Sequence, residues 1–161
     1  MIVIVMGVVG AGKTTVGKLL ASELGWEFAD ADDFHPVSNV EKIRQGIPLT
    51  DGDREPWLEA LRATIVNWIA QHRNAVLACS ALKSTYRAQL QAGPEVRFVY
   101  LKGSGPLIAD RLRARHGHFA GESILSSQFA DLEEPEAAVV VEISDTPQQI
   151  VQHIRKALRL E

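Results

Sequence analysis

Five short runs of consecutive apolar, β-branched or aromatic residues recur along the chain, at 2–6, 26–29, 75–79, 96–101 and 138–143. Runs apolar at successive rather than alternate positions suit strands buried on both faces, as in parallel sheets. Helical patterns lie between them. Residues 13–24 follow a glycine-rich turn, and 55–72 place Trp57, Leu58, Leu61, Ile65, Trp68 and Ile69 on one stripe. Shorter helical patterns cover 82–90 and 107–115. Near the end, Thr146 reads as an N-cap with Pro147 at the first helical position, followed by Ile150, Val151, Ile154 and Leu158 on one face. Strand and helix alternating in this order predict an α/β sandwich around a mainly parallel sheet.

The 161 residues are enough for one domain, with roughly 70% of the unfolded chain's surface buried. No repeat, low-complexity tract or Gly/Ser linker divides them. The formal net charge of −3 argues against a general nucleic-acid or anionic-membrane surface, while leaving room for a local cationic pocket. The apolar start is too short to span a membrane, and it lacks the basic flank of a signal peptide. Cys79 is the single cysteine, which excludes an intrachain disulfide and fits a reducing, cytoplasmic setting.

The first apolar run ends in Gly7-Val8-Val9-Gly10-Ala11-Gly12-Lys13-Thr14, a match to G-x-x-x-x-G-K-[ST]. Glycines at this spacing let several backbone N–H groups turn toward one phosphate, and the next helix adds its positive end. Lys13 is placed to reach the β- and γ-phosphates and Thr14 to hold Mg²⁺; Thr15 follows on the same turn. A hydrophobic strand before the motif and an amphipathic helix after it distinguish it from a chance glycine turn. The expected nucleotide is ATP with Mg²⁺.

Neither D-x-x-G nor N-K-x-D occurs, so a switch GTPase is excluded, and no acid ends a central strand in the Walker B manner. The nearest acids follow the second run, in Phe28-Ala29-Asp30-Ala31-Asp32-Asp33. In an extended segment Asp30 and Asp32 face the same way. One would hold Mg²⁺ through water, the other a substrate hydroxyl; Asp33 faces away. A solvated acidic loop is the plainer alternative. Arg111 and Arg115 lie about 40° apart on a helix, a face suited to clamping phosphate. The Gly-, Ser- and His-rich stretch 116–127 reads as a lid that excludes water.

Several longer segments, taken together, resemble the gluconate kinases, a group of P-loop small-molecule kinases related to shikimate and nucleoside-monophosphate kinases. These are Asp30-Ala31-Asp32 with His35-Pro36, Asn39, Glu41 and Lys42; Gly46-Ile47-Pro48-Leu49; Asp53-Arg54-Glu55-Pro56-Trp57-Leu58; Cys79-Ser80-Ala81-Leu82-Lys83 with Tyr86-Arg87; Tyr100-Leu101-Lys102-Gly103; Arg115-His116-Gly117-His118-Phe119; and Ser127-Gln128-Phe129 with Leu132, Glu133 and Pro135. Thr50-Asp51-Gly52-Asp53 is less acidic than the family's run. The resemblance implies a five-stranded parallel sheet in the order 2-3-1-4-5, a short lid, often a homodimer, and transfer of phosphate from ATP to the 6-hydroxyl of D-gluconate. By resemblance, Asp32 holds the reacting hydroxyl and acts as base. Arg54 meets the substrate carboxylate, and Ser80 and Ala81 line the pocket. Arg111 lies against adenine, Arg115 clamps the transferring phosphate, and Gln128 sits near substrate.

Gluconate is a small polyhydroxylated carboxylate, so it needs cations and hydroxyl partners. Arg54, Lys83 and Arg87 are the candidate cations; Asp32, His35 and Gln128 are the candidate hydroxyl partners. Each has a plainer alternative: a surface ion pair for Arg54, solvated helix cations for Lys83 and Arg87, a turn-ordering role for His35. Two other functions stay open: a kinase of another small hydroxy acid such as shikimate, and a nucleotide-binding module without catalysis.

Overall fold

The computed structural model describes residues 1–116 and 122–160, without the side chains of 115, 116, 122 and 123. The order of elements is β1 (Ile2–Met6), α1 (Lys13–Leu24), β2 (Glu27–Asp30), a 3₁₀ turn (Ala31–Phe34), α2 (Val37–Arg44), α3 (Asp51–Ala70), β3 (Ala75–Ala78), α4 (Ser84–Leu90), β4 (Val96–Lys102), α5 (Gly105–His116), α6 (Glu122–Asp131), β5 (Val139–Glu142) and α7 (Pro147–Leu158). The strands form one parallel sheet, β2-β3-β1-β4-β5. It has the order expected from the resemblance.

β1 is buried at every position because the sheet is covered on both sides. Val3 and Val5 pack toward Val16 and Leu20 of α1 and Ile150 and Ile154 of α7. Ile2, Ile4 and Met6 pack on the opposite face, toward Leu61 and Ile65 of α3 and Leu90 of α4. The alternation is the two-residue period of a strand, doubled into two cores. Leu61 is fully buried in the second core. Truncating it to alanine should cost ~2–5 kcal/mol of stability, read by denaturant unfolding.

Three local features differ from the sequence expectations. α3 starts at Asp51 rather than at 55, because Thr50 and Asp53 form a reciprocal capping box. Pro56 lies inside this helix, and its missing N–H would have bonded the carbonyl of Gly52, an exposed residue that water can serve. Val37–Arg44, predicted as no element, is a helix whose apolar residues are largely exposed. The expected lid 116–127 is helical from Glu122 onward, since Leu125 and Phe129, four apart, pack on the first core. Residues 117–121, with His118, lie outside the described residues.

α1 crosses close above β2. A Cβ on Gly17 would come within 2.8 Å of the Phe28 ring, so this helix position accepts no side chain without displacement. The close approach brings the loop before α1 beside the acidic end of β2.

Candidate active site

The loop between β1 and α1 has φ values of 82° at Gly10 and 98° at Gly12, the left-handed region that glycine enters without strain. Gly7 donates its N–H to the Ser80 carbonyl, and the Ala11 N–H closes back on Val8. Lys13 Nζ donates to the Val8 carbonyl at 3.0 Å, which holds the ammonium over the loop. Burial lowers the pKa of Lys13, while the charges of Asp32 and Asp30 work against that shift.

Asp30 ends β2 and uses both carboxylate oxygens. Oδ2 accepts from the Thr14 hydroxyl at 2.9 Å, and Oδ1 accepts from the Asp32 N–H at 2.9 Å. The segment is therefore not extended through Asp32, as the sequence reading assumed: Asp30 caps a 3₁₀ turn. The turn still brings Asp32 to the same cleft. Asp32 has a raised pKa, first because the cleft walls remove water and then because Asp30 is close, with Lys13 opposing. Thr14 and Asp30 present adjacent oxygen donors beside the phosphate loop, the hard ligand type that Mg²⁺ takes alongside phosphates and water. The residues fit that ion. Among the described residues no group of three or more His, Cys, Asp or Glu could hold a metal unaided.

These groups open on a cleft of about 360 Å³. Thr14, Thr15 and Lys13 line one part; Asp32, His35 and Arg54 line another; Ser80 and Gln128 also reach it. Gln128, on α6, accepts from the Val9 N–H at 2.6 Å, so this helix is tied directly to the phosphate loop. Arg54 donates to the Tyr86 hydroxyl at 2.9 Å and lies 3.5 Å from Asp131. Tyr86 in turn donates to Asp51, which also pairs with Lys83. Arg54 is thus held by a network rather than left to solvent.

A second hollow of about 300 Å³ adjoins the other side of the loop, lined by Gly10, Ala11, Thr15, Arg111, Asp145 and Pro147. The Arg111 guanidinium donates to the Ile143 carbonyl, which fixes the side chain across this hollow. The backbone of Arg115 is on α5, one turn further; its side chain is outside the described residues.

Three expected substrate contacts are not brought to the cleft. Ala81 is fully buried in the second core, and its φ of 46° makes it a backbone bend that turns Ser80 toward the cleft. Lys83 is engaged by Asp51 at 2.9 Å. Arg87 spends its guanidinium on the carbonyls of Ala81, Leu82 and Glu133, a brace for the chain after β3. The Cys79 thiol is buried and pushed up to about 12 by that burial, so it stays protonated and inert.

Trp57, read from sequence as core or dimer surface, belongs to the site as well as to the core. Its ring stacks on His35 with centroids 4.4 Å apart, and its Nε1 donates to the Ala31 carbonyl at 2.7 Å. Burial and the Arg54 charge lower the His35 pKa to about 4, so the ring is neutral at ordinary pH. Asn39 was legible only as part of a motif. It sits four residues after His35, in the first turn of α2, and is 2% exposed.

The gluconokinase of Gluconobacter oxydans is 48% identical over 133 residues, covering 82% of this chain and 75% of that protein. The chain belongs to the gluconokinase family. A probable gluconokinase of Xenopus tropicalis is 46% identical, over 85% of this chain and 80% of its own. Among solved structures, a gluconokinase from Sinorhizobium meliloti superposes with a TM-score of 0.89 at 38% identity, covering 98% of this chain and 90% of that one. The broader shikimate kinase family profile matches residues 9–159, which places the gluconokinase-family chain within the wider P-loop kinase fold.

Proposed function

We propose that the protein transfers the γ-phosphoryl group of ATP to the 6-hydroxyl of D-gluconate, giving 6-phosphogluconate and ADP. The observation that carries this reading is one cleft lined by the phosphate loop, the carboxylate of Asp32 and the guanidinium of Arg54. Those are the groups needed for a triphosphate, a reacting hydroxyl and a carboxylate. The gluconokinase names of relatives at 48% and 46% identity support the choice of acceptor.

In this reading the loop N–H groups and Lys13 bind the β- and γ-phosphates, and Arg111 lies against the adenine. Thr14 would hold Mg²⁺ directly and Asp30 through water, and the ion supplies positive charge to the phosphate oxygens. Asp32 orients the acceptor hydroxyl and takes its proton; Arg54 holds the carboxylate at the other end of the substrate. Arg115 clamps the transferring phosphoryl group, and Ser80 and Gln128 touch the substrate. The chain is taken as one kinase domain, and as a cytoplasmic homodimer by resemblance to its family. Among the described residues no helix is long and apolar enough to cross a membrane.

An ADP-release assay across gluconate, shikimate, glycerate and nucleoside monophosphates tests the acceptor. Gluconate should give the highest kcat/KM. Turnover of another acceptor, with none of gluconate, would remove gluconate from the reading.

A further inference from the structure

His35 has an ambiguous hydrogen-bonding role when seen alone, because either ring nitrogen can carry the proton. Its neighbours remove the ambiguity. Asn39 Nδ2 lies 2.7 Å from the carbonyl oxygen of Asp53 and 3.2 Å from His35 Nδ1. A carbonyl oxygen only accepts, so the Asn39 atom facing it must be the amide nitrogen. The second hydrogen of that same NH₂ group faces His35 Nδ1. Nδ1 must therefore offer its lone pair, and the proton of the neutral ring sits on Nε2.

The surroundings hold this arrangement. Asn39 is almost fully buried, so misplacing its amide would strand polar groups without water. Lys42, on the same helix, pairs with Asp53 at 2.9 Å and ties α2 to the start of α3. The stacked Trp57 sets the plane of the imidazole, and its indole is itself anchored to Ala31. His35 lines the cleft; with Nδ1 engaged by the buried amide, Nε2 is the ring nitrogen left to meet a ligand there.

We propose that Asn39 is a positioning residue that fixes His35 as the neutral Nε2–H tautomer, making it a one-way donor to a hydroxyl oxygen of the acceptor. The donor half rests on the polyol-acid acceptor proposed above; the tautomer half does not. A neutral donor suits a polyol chain. It binds a hydroxyl oxygen without adding a third cation near Lys13 and Arg54, and it leaves the carboxylate to Arg54.

The test combines nitrogen-15 NMR of the ligand-free protein with steady-state kinetics. In the unchanged protein, His35 Nδ1 should resonate as an unprotonated nitrogen and Nε2 should couple to a proton. In Asn39→Asp the carboxylate has no hydrogen to offer, so the proton should move to Nδ1, and KM for gluconate should rise ~10-fold with KM for ATP unchanged. His35→Phe, which keeps the stack on Trp57, should raise KM for gluconate similarly without depending on how Asn39 variants fold. His35→Gln, which restores an N–H donor, should recover most of that loss. A proton on Nδ1 in the unchanged protein, or a His35→Phe variant with normal KM for gluconate, overturns the proposal. An enzyme idle toward gluconate but carrying the Nε2–H tautomer would overturn the acceptor reading and the donor role, and leave the positioning by Asn39 standing.

Discussion

Asp32→Asn should lower kcat for gluconate by ~10²–10⁴-fold, the range that loss of a positioned acid or base produces, while ATP affinity stays close to that of the unchanged protein. The substitution keeps the shape of the side chain and removes its charge and basicity. Asp32 is hydrogen-bonded to the scaffold through its backbone N–H, which Asp30 accepts, so the turn that presents it does not depend on its carboxylate. The proposed nucleotide cradle is built from other groups lining the cleft, namely the loop backbone, Lys13 and Thr14. Equilibrium binding of an ATP analogue alongside single-turnover kinetics separates the two effects. Near-normal turnover in Asp32→Asn would remove it from the mechanism.

The second large effect belongs to Lys13. Lys13→Met retains most of the apolar stem and deletes the ammonium held 3.0 Å from the Val8 carbonyl. Transfer through a loose transition state depends on neutralising charge on the moving phosphoryl group, so kcat should fall by ~10²–10³-fold, as when one preorganised electrostatic contact is removed. Here, unlike in Asp32→Asn, affinity for ATP should also fall, because the same charge meets the ground-state phosphates. Circular dichroism and thermal unfolding should remain close to those of the unchanged protein, since Lys13 lies at the head of α1 and outside both cores. A Lys13→Met variant with unaltered kcat would show that the loop backbone and metal suffice.

Much of the fold was readable along the chain. β1, the phosphate loop and α1 follow from contiguous residues whose hydrophobicity and glycine content specify a buried strand, a left-handed turn and a helix in succession. α7 was readable for the same reason, with Thr146 and Pro147 at its start and an apolar stripe behind them. α2 escaped notice because it is only eight residues long with three apolar positions, Val37, Val40 and Ile43, too short a stretch to stand out, and these pack little in the fold: Val37 is 79% exposed. The start of α3 was obscured by Pro56, whose effect on the helix depends on whether Gly52 can reach water.

The site divides along the same line. Lys13, Thr14 and the acidic pair near the end of β2 were visible because they sit at the short spacings that the proposed phosphate and metal binding would require. Lys83 and Arg87 carried the right charge but not the right neighbours, since an aspartate 32 positions earlier holds the first and backbone carbonyls hold the second. Local order in the chain determined the alternating architecture and the phosphate-binding chemistry, because both arise from interactions between residues close in sequence. Only the tertiary structure decided which of the three cations lines the cleft, that Gln128 reaches Val9 across 119 residues, and that Trp57 and Asn39 hold His35 in a defined orientation. Those outcomes depend on which side chains exhaust one another's hydrogen-bonding capacity once the sheet and helices have been brought together.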